Sequence, residues 1–149
     1  MVTARSRRFA AIALPLAAAV GAALAQAPGE CPQPRFTGKA PEEYWNRANP
    51  LPATGANLAA GEAIYAGEPR KVSCATCHGR TGDGKGEMAG QLDPPPRNFR
   101  CAQTVNGIPD GRLFWIVRHG SPGTSMPPHR RLTDEQIWQV VLHLRRLAR

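Results

Sequence analysis

Two cysteines separated by two residues and followed at once by a histidine, Cys74-Ala75-Thr76-Cys77-His78, carry the plainest chemistry in this sequence. Thiols at that spacing can add to the two vinyl groups on one side of a porphyrin. The histidine next in line then lies under the iron as its proximal ligand, which is the attachment pattern of haem c. Two other chemistries use a C-x-x-C pair. A zinc site needs a second ligand pair at compatible spacing, and Cys31 and Cys101, on opposite sides of the motif in sequence, form no such pair. A thiol redox pair belongs in a βαβ context, whereas the flanking segments read as helices and Gly-rich loops. The run therefore reads as one covalently attached haem, bound through Cys74 and Cys77 and ligated by His78.

Covalent haem of this kind belongs outside the cytoplasm, and the start of the chain agrees. Arg5, Arg7 and Arg8 precede an almost wholly apolar stretch from Phe9 to Leu24, and Ala23-Leu24-Ala25 offers a small-residue cleavage site. Residues 1–25 are thus expected to be a signal peptide cleaved near Ala25, giving a periplasmic protein. An uncleaved leader would instead be a membrane anchor, since its apolar run approaches the roughly 17 residues of a short span. Cys31 is no convincing lipid-attachment site, because Glu30 precedes it where a small residue is normal. In an oxidising compartment Cys31 and Cys101 are instead a candidate disulfide. It would pin the Pro-rich start onto the rest of the chain and stabilise it by about 2–4 kcal/mol.

The elements that must position these residues are helices. Residues 26–55 hold Pro28, Pro32, Pro34, Pro41, Pro50 and Pro52 and are expected to form an extension outside the core. Asn57 reads as the N-cap of a first helix with Leu58, Gly61, Ile64 and Tyr65 on one face, ending before Gly67. Gly61 inside that helix implies a close crossing with another. A second helix follows Pro109-Asp110 and stops at Gly120, with Leu113, Phe114, Ile116 and Val117 apolar. A third opens on a Thr133/Gln136 capping box and carries Ile137, Val140, Val141, Leu144 and Ala148 as its stripe. On its opposite face His143 is expected in solvent beside Gln136, Gln139 and Arg146. No alternating strand pattern of useful length occurs. The expected fold is all-α, and residues 56–149 form the haem domain.

In order along the chain, the Gly61 to Tyr65 helix, Cys74-Ala75-Thr76-Cys77-His78-Gly79, Thr81-Gly82-Asp83-Gly84-Lys85-Gly86 and Gly123-Thr124-Ser125-Met126-Pro127 together resemble the class I cytochrome c family. The resemblance implies three to four helices and loops around the haem, with the first and last helices crossing near Gly61 and Tyr65. It also implies that one of the prolines in Asp93-Pro94-Pro95-Pro96 accepts a hydrogen bond from His78. It says nothing of the Pro-rich start or of Cys31 and Cys101.

The sixth iron ligand decides between electron transfer and small-molecule chemistry. Met126 is the leading candidate, in a polar Gly-Thr-Ser loop braced by Pro122, Pro127 and Pro128, where the residue before a proline is confined to extended geometry. A thioether favours ferrous iron and raises the potential. Met88, His119, His129 or an open site are the alternatives. Arg97, Asn98 and Arg100 could meet propionates, and Phe99, Trp115 and Tyr65 could touch the ring.

The chain carries 19 Lys and Arg against 11 Asp and Glu, a formal net charge of +8. Losing the leader would remove Arg5, Arg7 and Arg8 and leave the remainder positive, which suits redox partners with acidic docking patches. Nucleic acid is a poor explanation of this basicity, because no basic, aromatic-laced stretch occurs. The expected role is an electron carrier, not an enzyme: a free shuttle, or the cytochrome subunit of a larger periplasmic dehydrogenase or oxidase. A haem enzyme or gas sensor would require an open distal site.

Overall fold

The structure, a computed structural model, describes residues 27–33, 40–67 and 73–148. The expected leader over residues 1–25 lies outside them. Among the described residues there are helices, turns and loops but no strand, as the periodicity predicts. Three helices exceed two turns: α2 (Gly55–Ala66), α5 (Asp110–His119) and α6 (Asp134–Leu147). Shorter pieces join them: α1 (Glu42–Trp45), α3 (Cys74–His78), a 3-10 turn (Ala89–Gln91) and α4 (Ala102–Val105).

Helix α2 starts on Thr54, whose hydroxyl accepts from the Asn57 amide at 3.2 Å. Thr54 and Asn57 are both capping types, and the one nearer the prolines takes the role. Asn57, expected as the cap, lies in the first turn, where its side chain donates to the Pro52 carbonyl and accepts from Gln139. The helix ends at Gly67, left-handed at φ 101°. Helix α6 opens on the expected reciprocal capping box of Thr133 and Gln136. The two cross where Gly61 faces the Gln139 carbonyl, so close that a Cβ on Gly61 would overlap that oxygen. This is the packing reason for a glycine that costs about 1 kcal/mol of helix propensity.

Among the described residues two clusters make the core. Leu113, Phe114 and Val117 of α5 pack on Ile137, Trp138 and Val141 of α6, with the Phe114 and Trp138 rings stacked at 4.4 Å. Tyr65, Phe99, Val105, Val140 and Leu144 form the second. Arg145 ties α6 to the turn before α5. Its guanidinium donates to the Val105 carbonyl and to Asp110, each at 2.7 Å, and to the Ile108 carbonyl.

The Pro-rich start is not a detached extension. Ala40 is buried, Tyr44 and Leu51 pack against the first cluster, and the Tyr44 carbonyl sits over Gly111 with no room for a side chain between. Asn49 also donates to the Trp138 carbonyl at 2.9 Å. Prolines stop regular structure but not packing, and the aromatic and aliphatic residues between them supply the contacts. Cys31 and Cys101 form a disulfide, Cα to Cα 5.6 Å, that fixes the segment further upstream.

Candidate haem site

The motif folds as one short helix. Ser73 caps α3 by accepting from the Thr76 amide at 3.1 Å, which turns Cys74, Cys77 and His78 toward a single cavity. Below it the chain needs glycine for close approach: a Cβ on Gly86 would meet the Thr76 and Cys77 carbonyls. The cavity holds an empty volume of about 1200 Å³ counting its open mouth. Its walls are mainly apolar. Leu113, Ile116 and Val117 come from α5, Val140 and Leu144 from α6, and Leu92, Pro94 and Pro96 from the loop after the 3-10 turn. Met126 and Pro127 enter from the loop between α5 and α6.

His78 is buried and its ring stacks on Phe99 at 4.5 Å. Its Nδ1 lies 3.0 Å from the Arg97 carbonyl. A carbonyl can only accept, so the proton sits on Nδ1 and the lone pair on Nε2, the tautomer a metal-ligating imidazole needs. The acceptor is therefore the residue after the three prolines and not one of them. Prolines stiffen the run, and the first residue beyond carries the carbonyl that points at the ring.

Burial pushes the Cys74 thiol up to about 11 and raises Cys77 as well. Thioether formation, which removes the ionisable group, suits such walls. Tyr65 is buried beside them and donates to the Gly79 carbonyl at 2.8 Å. Burial first, and the nearby Cys74 second, raise its phenol above the usual range. Among the described residues no set of three His, Cys, Asp or Glu side chains is placed to hold a metal ion, so the zinc alternative finds no further donors.

The polar atoms of the cavity suit a haem. Arg112 lines it, its guanidinium 5.2 Å from the Trp45 ring centroid, and its Nε is buried with no hydrogen-bond partner. A buried N–H donor lacking an acceptor is costly, and a carboxylate entering the cavity would satisfy it. A largely apolar space, a buried histidine, two thiols and an arginine whose buried Nε lacks a hydrogen-bond partner fit a haem with its propionates.

The other expected residues divide. Met126 lines the cavity half-buried, its amide accepted by Thr124 Oγ1 at 3.1 Å and its carbonyl bonded to the Ser121 amide. Met88 is 43% exposed and lies outside the cavity wall. His129, one of the alternative ligands, is half-buried and lines the cavity, and burial lowers its pKa. His119 is exposed at the end of α5, stacked on Trp115. Tyr65, Phe99 and Arg97 line the cavity; Trp115, Asn98 and Arg100 do not. His143 is not solvated. It is 3% exposed, 5.0 Å from the Tyr65 ring, and neither ring nitrogen has a hydrogen-bond partner. The polar face of α6 on which it lies is the one α2 covers, through Gln139 to Asn57 and the Arg146 to Glu62 ion pair. Arg112 escaped the sequence reading, although its place one turn before Ile116 sets it on the cavity face of α5.

Comparison with known families matches residues 56–144 to the family described as cytochrome c oxidase, cbb3-type, subunit III. Among solved structures, a chain of the reducing HAO-like protein complex of Kuenenia stuttgartiensis is 27% identical with a TM-score of 0.57. The match covers 67% of this chain and 47% of that one, so this chain spans about half the length of its structural relative. No curated protein matches.

Proposed function

Since residues 56–144 place this chain in the class I cytochrome c family, whose domains serve haem-based electron transfer, we propose that it is a periplasmic carrier of single electrons. Cys74 and Cys77 would hold one haem c covalently, and His78 and Met126 would ligate its iron. The observation that carries this reading is that these four side chains, from α3 and from the loop after α5, border one largely apolar cavity. Bound there, the haem supplies a one-electron couple.

The chain's own residues do the rest. His78 is oriented by the Arg97 carbonyl, Met126 is held by Thr124 and Ser121 on either side of its own backbone, and the α5 and α6 side chains exclude water. Arg112 would hold a propionate. With two protein ligands the iron would be closed to substrate, which favours transfer over catalysis. The positive balance of the sequence favours acidic redox partners.

Absorption spectra of both oxidation states, on wild type and Met126→Ala, test the ligation. The sulfur-to-iron band is expected in the oxidised wild type and lost in the variant, whose reduced form then binds carbon monoxide. Retention of the band would move the ligand to Met88, and strong carbon monoxide binding by wild type would favour an open site.

A second reading is supported by the comparisons: the matching family is described as an oxidase subunit, and the solved relative belongs to a complex. As a subunit, the protein would co-purify with a stable partner instead of running alone.

A further inference from the structure

The upstream segment that the disulfide fixes reaches the proximal side of the haem site through one residue. Gln33 is 2% exposed, an unusual burial for a glutamine, and all of its polar groups are used. Its Oε1 accepts from the Asn98 amide at 2.7 Å and its Nε2 donates to the Pro96 carbonyl at 3.2 Å. Its own carbonyl accepts from Arg97 Nη1 at 2.5 Å, and its amide donates to Thr104 Oγ1 at 3.2 Å. Asn98 Nδ2 reaches back to the Gly29 carbonyl at 2.9 Å. Three consecutive residues, 96 to 98, are thus gripped by the segment that Cys31 anchors to Cys101.

The geometry points to Gln33 as a positioning residue for the proximal ligand, acting through the peptide unit between Arg97 and Asn98. The N–H of that unit is bonded to Gln33 Oε1 and its C=O to His78 Nδ1. A peptide unit is planar, with N–H and C=O in fixed relation, so holding one end aims the other. The two hydrogen bonds also polarise one another along the chain from Gln33 to the imidazole. A hydrogen bond at Nδ1 raises the basicity of a ligating histidine and so stabilises ferric iron. Gln33 therefore holds the haem potential down against the thioether, which pulls it up.

The inference rests on the His78 ligation proposed above, and a wild-type haemochrome spectrum tests that ligation separately. In haem-loaded Gln33→Met, which keeps the side-chain volume and removes both side-chain hydrogen bonds, two readouts are expected to move. The midpoint potential rises, shifting the ferrous to ferric ratio at fixed ambient potential by roughly threefold, less than the 10–100-fold effects of losing an outer-shell partner itself. The His78 Nδ1 proton, followed by NMR of the reduced protein, exchanges faster with solvent. If that variant does not accumulate as holo-protein, Cys31→Ser/Cys101→Ser reads the same quantities by releasing the anchor. Movement of both readouts in the stated directions supports the inference. A folded variant with lowered thermal stability but unchanged potential and exchange overturns it, and Gln33 is then merely structural. A wild type without a His78-ligated haem overturns both this inference and the ligation beneath it.

Discussion

Single side chains here change character with what is laid over them. His143 belongs by helical position to a polar face, yet it is buried against Tyr65 with Glu62 and Arg146 near it. Burial lowers its pKa, with Glu62 opposing the shift and Arg146 adding to it. The unfolded chain takes up the proton at the ordinary value of about 6.5, while the folded protein resists. Stability from this group is complete above that pH and is lost as pH falls toward the depressed folded value, by at most about 1.4 kcal/mol per pH unit. Thermal melts between pH 7.5 and 5 should therefore fall more steeply for wild type than for His143→Leu; parallel curves would mean that His143 does not titrate in this range.

At the scale of elements, the crossing of α2 and α6 is governed by the absence of a side chain. Gly61→Ala raises helix propensity by about 1 kcal/mol but drives a methyl into the Gln139 backbone, which cannot turn aside as a flexible side chain would. The expected net loss is about 1–3 kcal/mol by denaturant unfolding, and a gain in stability would show that the helices can separate at no cost. Much of this architecture is legible in the sequence because it is local. The Thr133 capping box, the stop at Gly120 and the stripe of α6 follow from spacing alone. So does the motif from Cys74 to His78. The rest depends on contacts distant in sequence. Nothing near Asn57 says that Thr54 takes the cap, nothing near His143 says that α2 lies over it, and nothing near the three prolines says that Arg97 offers the carbonyl. Arg112 was hidden for the same reason: a cationic residue on a helix reads as solvated until the cavity beside it is known.

For the molecule as a whole, charge matters more than any one contact. A chain whose charge stays positive with or without the expected leader meets an acidic partner through a field that reaches about 30 Å at 10 mM salt and about 8 Å at physiological ionic strength. Stopped-flow electron transfer to an acidic redox protein should slow several-fold over that range, and a rate indifferent to salt would sink the idea of electrostatic steering. Among the described residues no helix is long and apolar enough to cross a membrane.

The bond between Cys31 and Cys101 also has a topological effect. Those two cysteines bracket Cys74, Cys77 and His78, so the segment proposed to carry the haem lies inside a closed covalent ring. A protease that cuts the backbone once within the ring opens it but frees no fragment. His78 stays in one molecule with Met126 through the sulfur bridge, and a single cut parts them only between residues 101 and 126. The span to guard against nicking is therefore that short stretch through α4 and α5, which Arg145 holds at its turn.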